Sequence, residues 1–380
     1  MARRSSGRAG HRRTCSPLLT SPSLTIATMG VISARAAGDV VELRPEDTRW
    51  QRFVAGASEA SAFHEPGWLA ALTASYGYRS LVLALMAPGG EVIAGLPLSR
   101  IRRPLFGVAY VSLPFTDHCP PLARNEDGLL LLAQGLERWR RSVGISAIEI
   151  RGPLPGTGSL AADAVGYRHL LTLDGPARGL GALKPAVARH VRAARRAGVS
   201  VQFGRSWEDM QRFYRLHLLT RRRLGVPVQP LRFLRAVWRH MVEPGPGFLA
   251  LACTSDGTPV AAALFLVHRQ TLIYKYGASD ESHWELKPNH LLFWSVIERA
   301  CEDGLTLLDF GKSDPHSAGL RRFKSSWGAE EVPLIYTHSG TPGAGLRGNR
   351  RLNGALRVVI GHSPLVVCRA LGELLYRYAA

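Results

Sequence analysis

The residues best suited to chemistry cluster in one stretch. An apolar run ends abruptly in Asp309-Phe310-Gly311-Lys312, and Gly319-Leu320-Arg321-Arg322-Phe323-Lys324 and Trp327 follow. A strand that stops on an acid and a glycine puts side chains at a sheet edge, where α/β and α+β enzymes often hold their sites. Asp309 is a candidate base. Lys312, Arg321, Arg322 and Lys324 are candidates for holding an anion, lysine as a point charge and arginine as a bidentate fork. Upstream, Tyr274-Lys275-Tyr276 adds a further cation between two aromatics, and Asn289-His290 follow a proline at a helix start. His290 is a second candidate base, and His217 a third. The bland alternative is a strand, a turn and a solvated basic helix.

Lysine usage separates these readings. Only five of the 48 basic residues are lysines, and four of the five (Lys275, Lys287, Lys312 and Lys324) fall between 275 and 324. The chain otherwise writes arginine, alongside abundant Ala and Gly, as a GC-rich genome would. Scattered arginines therefore say little, and clustered lysines say more.

The length of 380 residues suggests two domains. Hydrophobic content of 46% with 20% charged residues is ordinary for a globular chain, but the net charge of +19 is not. It calls for an acidic partner: nucleic acid, an anionic membrane surface or a phosphate-rich substrate. The five cysteines are widely spread, with no C-x-x-C pair and no zinc spacing, so reduced thiols, a cytoplasm-like compartment and no metal are expected. Asp117-His118-Cys119 invites a thiol-nucleophile reading, but adjacency in sequence does not place two groups together in space. Pro114, Pro120 and Pro121 make this a rigid loop and a candidate pocket wall.

The elements that would position these groups read as follows. Residues 1–38 hold six arginines and no acid, and form a disordered basic arm. Ala34-Arg35-Ala36 superficially resembles a signal-peptide cleavage site, but Ser21, Pro22, Ser23 and Thr25 break the apolar region before it; Met29 is an alternative start. A first domain, 39–178, has strands near 40–45, 78–86, 91–100, 110–114, 145–150 and 166–173, with helices at 48–57, 63–76 and 126–143. A second domain, 179–340, opens with a helix at 183–197 carrying Arg189, Arg192 and Arg196 on one face. Ser206 caps the next helix. Three antiparallel strands follow, the third placing Tyr274 and Tyr276 on one face and Lys275 on the other. A helix from 289 to 303 and a strand at 305–310 complete the order. Residues 341–380 form a basic amphipathic helical tail, to dock on the body or rest on an anionic membrane. No run reaches the ~20 apolar residues of a membrane span.

Strand, hairpin, strand, helix, strand is the order around the core of an N-acetyltransferase-type fold. Tyr274-Lys275-Tyr276-Gly277-Ala278, Lys287-Pro288-Asn289-His290, Leu292-Phe293-Trp294, Asp309-Phe310-Gly311-Lys312, Gly319-Leu320, Phe323-Lys324, Trp327-Gly328 and Tyr336 resemble the C-terminal half of FemAB-like acyltransferases of the GNAT superfamily. The resemblance covers residues 39–340 and is densest from 270 to 336. It implies an α+β (mixed α/β) fold of two tandem GNAT-like domains with a C-terminal helical tail. It also implies transfer of an acyl or aminoacyl group to an amine of a cell-envelope or glycan precursor. Tyr274, Lys275, Tyr276, Asn289, Lys312, Arg321, Arg322, Lys324 and Trp327 become candidate substrate-binding residues, with Asp309 and His290 as candidate catalytic ones.

No resident cofactor is expected. The acyl donor is either aminoacyl-tRNA or acyl-CoA. A coenzyme A user should carry [QR]-x-x-G-x-[GA] between a strand and a helix, to hold the pyrophosphate on backbone N–H groups. The one match, at 4–9, lies in the basic arm; near misses at 141–146 and 195–200 follow helices and end in Ser. Such a chain would work in the cytoplasm, or peripherally at the inner face of a membrane, with an anionic donor, a phosphate-bearing acceptor and possible use of tRNA. Two other readings remain: a non-catalytic GNAT-like module binding nucleic acid or anionic lipid, and a transferase for protein N-termini of the leucyl/phenylalanyl type.

Overall fold

The structure, a computed structural model, describes residues 40–103, 107–173, 180–340 and 350–376. The basic arm, its pyrophosphate-loop match and most of the predicted linker at 339–348 lie outside them. The first half runs β1 (Val40–Leu43), α1 (Thr48–Gly56), α2 (Pro66–Tyr76), β2 (Arg79–Met86), β3 (Val92–Arg103), β4 (Gly107–Val111), β5 (Leu122–Ala123), α3 (Glu126–Ser142), β6 (Ala147–Ile150) and β7 (Ala161–Thr172). The second runs α4 (Pro185–Arg196), β8 (Ser200–Gly204), α5 (Trp207–Arg223), α6 (Leu231–Val237), β9 (Gly247–Cys253), β10 (Pro259–His268), β11 (Thr271–Ser279), α7 (Pro288–Glu302), β12 (Leu307–Ser313), α8 (Ala318–Ser326) and β13 (Glu330–Gly340). α9 (Arg350–His362) and α10 (Leu365–Leu375) follow. The mixed α+β expectation holds.

Local sequence accounts for most of these boundaries. Ser206 and Asp209 form a reciprocal capping box at the start of α5. Pro185 and Pro288 sit in the first turns of α4 and α7, where a missing N–H costs nothing. α4 buries Val187, Ala188, Val191 and Ala194 and leaves its arginines outward, as its periodicity predicts.

The strands form one sheet in the order β1-β2-β3-β4-β6-β13-β7-β12-β11-β10-β9-β8, with β5 beside β3. The two ends mirror each other. In each half an antiparallel series leads to one parallel pair, β4 with β6 and β11 with β12. The closing strands are exchanged. β7, last in the first half, pairs with β12 of the second; β13, last in the second, pairs with β6 of the first. β7 and β13 then pair with each other, so the halves share a continuous ladder rather than a linker. Helices cover both faces: α2, α5 and α6 pack on one side of the second half, and α4 and α7 on the other.

Two irregularities shape the site. The β10–β11 register pairs Leu264 with Tyr276 but Phe265 with Tyr274, so Lys275 is the extra residue of a β-bulge. This corrects the expectation that both tyrosines share a face. The bulge breaks the alternation: Tyr274 packs with Phe265 and Phe293 on the α7 side, and Tyr276 with Phe233 and His217 on the α5/α6 side. β12 is also longer than predicted. It passes through Gly311, with a one-residue register shift against β7 between Asp309 and Lys312. Gly311 sits at φ +68°, a left-handed conformation that favours glycine.

Candidate functional site

The parallel pairing of β11 with β12 covers only Thr271–Ile273 against Leu307–Asp309, although both strands continue well beyond. Past that point they part, and each carries its bulge at the parting. A loop of the first half, residues 112–121, fills the wedge. A Cβ on Gly311 would lie 2.8 Å from Asp117 Oδ2, so the absence of a side chain there makes room for that carboxylate.

Asp117 is the centre of the wedge. Its Oδ2 accepts from the Lys312 N–H at 3.3 Å, and its carbonyl accepts from the Tyr336 hydroxyl at 2.8 Å. Burial pushes its pKa up, but Lys275, the Lys312 N–H, Lys324 and Arg151 outweigh that, and the net direction is down. The carboxylate is thus held ionised, on a residue that is half-buried. Lys275, re-aimed by its bulge, donates to the Phe115 carbonyl and lies over the rings of Tyr276, Phe63 and Trp68. Lys324, only 2% exposed, donates to the Gly311 and Lys312 carbonyls at 3.0 and 2.9 Å. Burial pulls its pKa down to about 8, against the opposing pull of Asp117, Asp309 and Asp314.

Asp309 is 7% exposed and fully engaged. Its Oδ2 accepts from Arg168 Nη2 and Nε at 2.8 and 3.1 Å, and its Oδ1 from the Gly311 N–H at 2.8 Å. To act as a base it would have to surrender these partners; as it stands, it shapes the bulge and orients Arg168. Arg168 Nη1 in turn donates to His118 Nδ1 at 3.0 Å. Burial and the Arg168 charge pull the His118 pKa down to about 3, so the ring is neutral. With Nδ1 accepting, the proton resides on Nε2, which makes that nitrogen a hydrogen-bond donor.

The other expected site residues are distributed differently. Lys312 sits at the wedge rim, 5.5 Å from the Tyr336 ring centroid. Arg321 is taken by Glu331, its Nε and Nη2 donating to that carboxylate, and stacks over Tyr167 at 4.3 Å. Arg322 is exposed, and Trp327 is buried with Phe293 and Phe323. Asn289 is partly exposed near the start of α7. His290 lies 3.2 Å from His190 Nδ1, on α4, away from the Asp117 cluster; burial, His190 and Lys287 pull its pKa down to about 4. His217 is buried, bonded to Gln229 at 2.6 Å and pulled down to about 3 by burial. The five anticipated cations therefore do not make one patch: Lys275, Lys312 and Lys324 converge, while Arg321 and Arg322 stand apart.

The thiol at Cys119 does meet a histidine, His64 Nε2, at 3.6 Å, although no sequence spacing suggested that pair. Burial pushes the thiol pKa well above its usual value and pulls His64 down to about 4. A neutral thiol beside a neutral ring, whose Nε2 already faces the Pro120 carbonyl at 2.9 Å, is packing rather than a nucleophile. Asp117, His118, Arg151 and Arg168 were missed as site residues. The proline-bounded loop at 114–121 was the one available signal. Among the described residues, no group of three or more His, Cys, Asp or Glu side chains could hold a metal.

Residues 184–325 match the family model of an acetyltransferase (GNAT) domain. Among solved structures, that of FemX aligns at a TM-score of 0.61 and 14% identity, covering 78% of this chain and 96% of FemX. L-PGS from Bacillus licheniformis aligns at 0.50 and 12%, covering 84% and 99%. The C-terminal domain of a putative lysylphosphatidylglycerol synthetase from Agrobacterium fabrum aligns at 0.51 and 13%, covering 85% and 95%. No curated protein matches the sequence. These likenesses establish the fold, and the expected GNAT-type acyltransferase domain is present in the second half.

Proposed function

We propose, from the premise that residues 184–325 form a GNAT-type acyltransferase domain, that this protein transfers an acyl or aminoacyl group to an amine of a cell-envelope or glycan precursor. The reaction takes place in the β11/β12 wedge. One observation carries this reading: the ionised, half-buried Asp117 meets Lys275, Gly311, Lys312 and Lys324 where two parallel strands part.

The chemistry follows from that geometry. An amine acceptor arrives as an ammonium ion and is drawn to Asp117. It must lose one proton to solvent before its nitrogen can attack the acyl carbon, because Asp117, held ionised, draws the ammonium without keeping its proton. As the C–N bond forms, negative charge grows on the carbonyl oxygen, and His118 Nε2–H and the Lys312 ammonium are donors for it. Collapse breaks the bond to the donor's leaving oxygen or sulfur, which receives the second proton, given up by the nitrogen after attack. Lys324 and Lys275 hold Asp117 ionised and in place; Asp309 and Arg168 hold His118.

Two features favour aminoacyl-tRNA over acyl-CoA as donor. Arg189, Arg192, Arg195 and Arg196 are exposed along α4, a row suited to a polyanion. The start of that helix adjoins α8, because Lys184 Nζ donates to the Ser325 carbonyl at 3.1 Å. No coenzyme A pyrophosphate motif stands between a strand and a helix among the described residues. Charged tRNA and acetyl-CoA, each offered separately with amino-sugar, muropeptide and peptide acceptors, distinguish the donors by product mass. Transfer from charged tRNA to an envelope-type amine is the expected result. Transfer to peptide N-termini alone would change the acceptor class. Transfer from neither donor, with polyanion binding that falls only in proportion to the charge removed, would leave a binding module instead.

A further inference from the structure

We infer that α9 and α10 form a docking surface for an anionic lipid bilayer. The argument starts from α10, which is apolar on two opposite faces. Cys368, Gly372 and Tyr376 recur every fourth residue on the inner face. A Cβ on Gly372 would strike the Val228 carbonyl, and the Tyr376 ring lies 4.9 Å from that of Phe115, so this face is fastened to the body. Val366, Ala370 and Leu374 also recur every fourth residue, about 160° away, and point to solvent. Val366 is 78% exposed and Leu374 66%. Val358 and Val359 on α9 and Val367 on α10 are exposed as well, as is Leu224 at the end of α5. Among the described residues, five of the eleven exposed large hydrophobic side chains belong to these two helices. A helix that only closed the core would carry polar residues on its outer face.

The border of the stripe is basic. Arg369 and Glu373 flank it and line a cleft of about 490 Å³ with Arg232, Arg235, Arg239 and His240. Arg232 is held by Glu373 at 2.7 Å and by the Ser75 carbonyl at 3.0 Å, and Arg235 stacks over Trp207 at 4.8 Å. Arg239 and Arg369 make no ion pair among the described residues. Apolar side chains presented beside guanidinium groups match acyl chains beneath headgroup phosphates. A second copy on the same patch would bring these arginines against one another, and nucleic acid would leave the valines in water.

The test is co-sedimentation of the full chain with vesicles of phosphatidylcholine, alone or with about one-third phosphatidylglycerol. Two double variants accompany it: Val366→Ser with Leu374→Ser for the stripe, and Arg239→Gln with Arg369→Gln for the cleft. All four positions are surface ones, and matching Tm values check that the fold is kept. The expected result is binding to the anionic vesicles at least tenfold tighter than to neutral ones, weakening with salt. Each double variant should reduce it tenfold or more, since each basic residue near such a surface contributes about fivefold. Absence of binding by the natural chain, or equal binding by all three proteins, overturns the proposal. So does a dimer of the natural chain that the stripe variant dissociates without any vesicle binding.

Discussion

The two parallel strand pairs of this molecule follow one plan and end differently. In the first half, β4 and β6 pair over Ala109–Val111 and Ala147–Glu149, and the chain then seals the gap with its own backbone. Cys119 bridges to Arg151, the Ser112 hydroxyl joins the Cys119 carbonyl to the Arg151 N–H, and the 1%-exposed Arg151 guanidinium donates to the Thr116 carbonyl. A Cβ on Gly152 would collide with Pro120. In the second half the gap is propped open by bulges at Lys275 and Gly311, and is entered by Asp117 and His118 from the other half. One loop, 112–121, thus closes the first wedge and furnishes the second. Leu113 and Phe115, both at φ +61°, carry the backbone strain of that crossing, of order 1 kcal/mol or more each. Two similar half-domains can share one site when the loop that would have served the first is spent on the second.

This contrast can be broken at several points. The largest stability effect is expected for Lys324→Met. Removing the buried amine leaves two buried carbonyls without a donor, at a cost of about 1–3 kcal/mol each in urea unfolding. An unchanged midpoint would show that Lys324 does not support the wedge. Gly311→Ala comes next. The methyl group would displace the Asp117 carboxylate and the left-handed backbone would be strained by about 1–2 kcal/mol. Activity should fall at least about tenfold, whereas Gly354→Ala, with open space around it, should change nothing measurable.

A pH series sharpens the same point. Lys324 titrates near pH 8 in the folded chain and near 10.5 when unfolded. Between those values the folded state binds fewer protons, so this group's contribution to stability rises with pH, and its burial penalty is present in full below about 8. Transfer should do the reverse. If the cation holds Asp117 in place, kcat/KM falls as pH rises through about 8, and Lys324→Arg moves that limb upward. A pH profile that Lys324→Arg leaves unchanged would remove Lys324 from the mechanism. The smallest effect is expected in the first wedge: Cys119→Ser should keep activity within about threefold, because the thiol is neutral and packed.

Much of the fold was legible in the chain. The Pro at the start of α7, the Ser206 cap, the 86–92 hairpin and the strand-to-Asp309 run each follow from neighbours in sequence. The site was legible only in part. Lys275, Lys312 and Lys324 stood out because the chain otherwise uses arginine. The bulge at Lys275 depends on which residues of β10 lie opposite, so alternation alone put Tyr274 and Tyr276 on one face. Asp117 reaches Lys312 across 195 residues, and Arg168 reaches Asp309 because β7 is exchanged into the other half. No local period encodes either meeting.

The most direct test measures acyl transfer by Asp117→Asn beside Cys119→Ser in one assay, with both proteins checked for unchanged unfolding profiles. Asparagine keeps the size and the acceptor oxygen but removes the charge that draws an ammonium. The account predicts a loss of at least about a hundredfold in kcat/KM for Asp117→Asn against near-natural activity for Cys119→Ser. Equal activity of the two variants, or loss only at Cys119, would contradict it and move the chemistry to the wedge assigned here to structure.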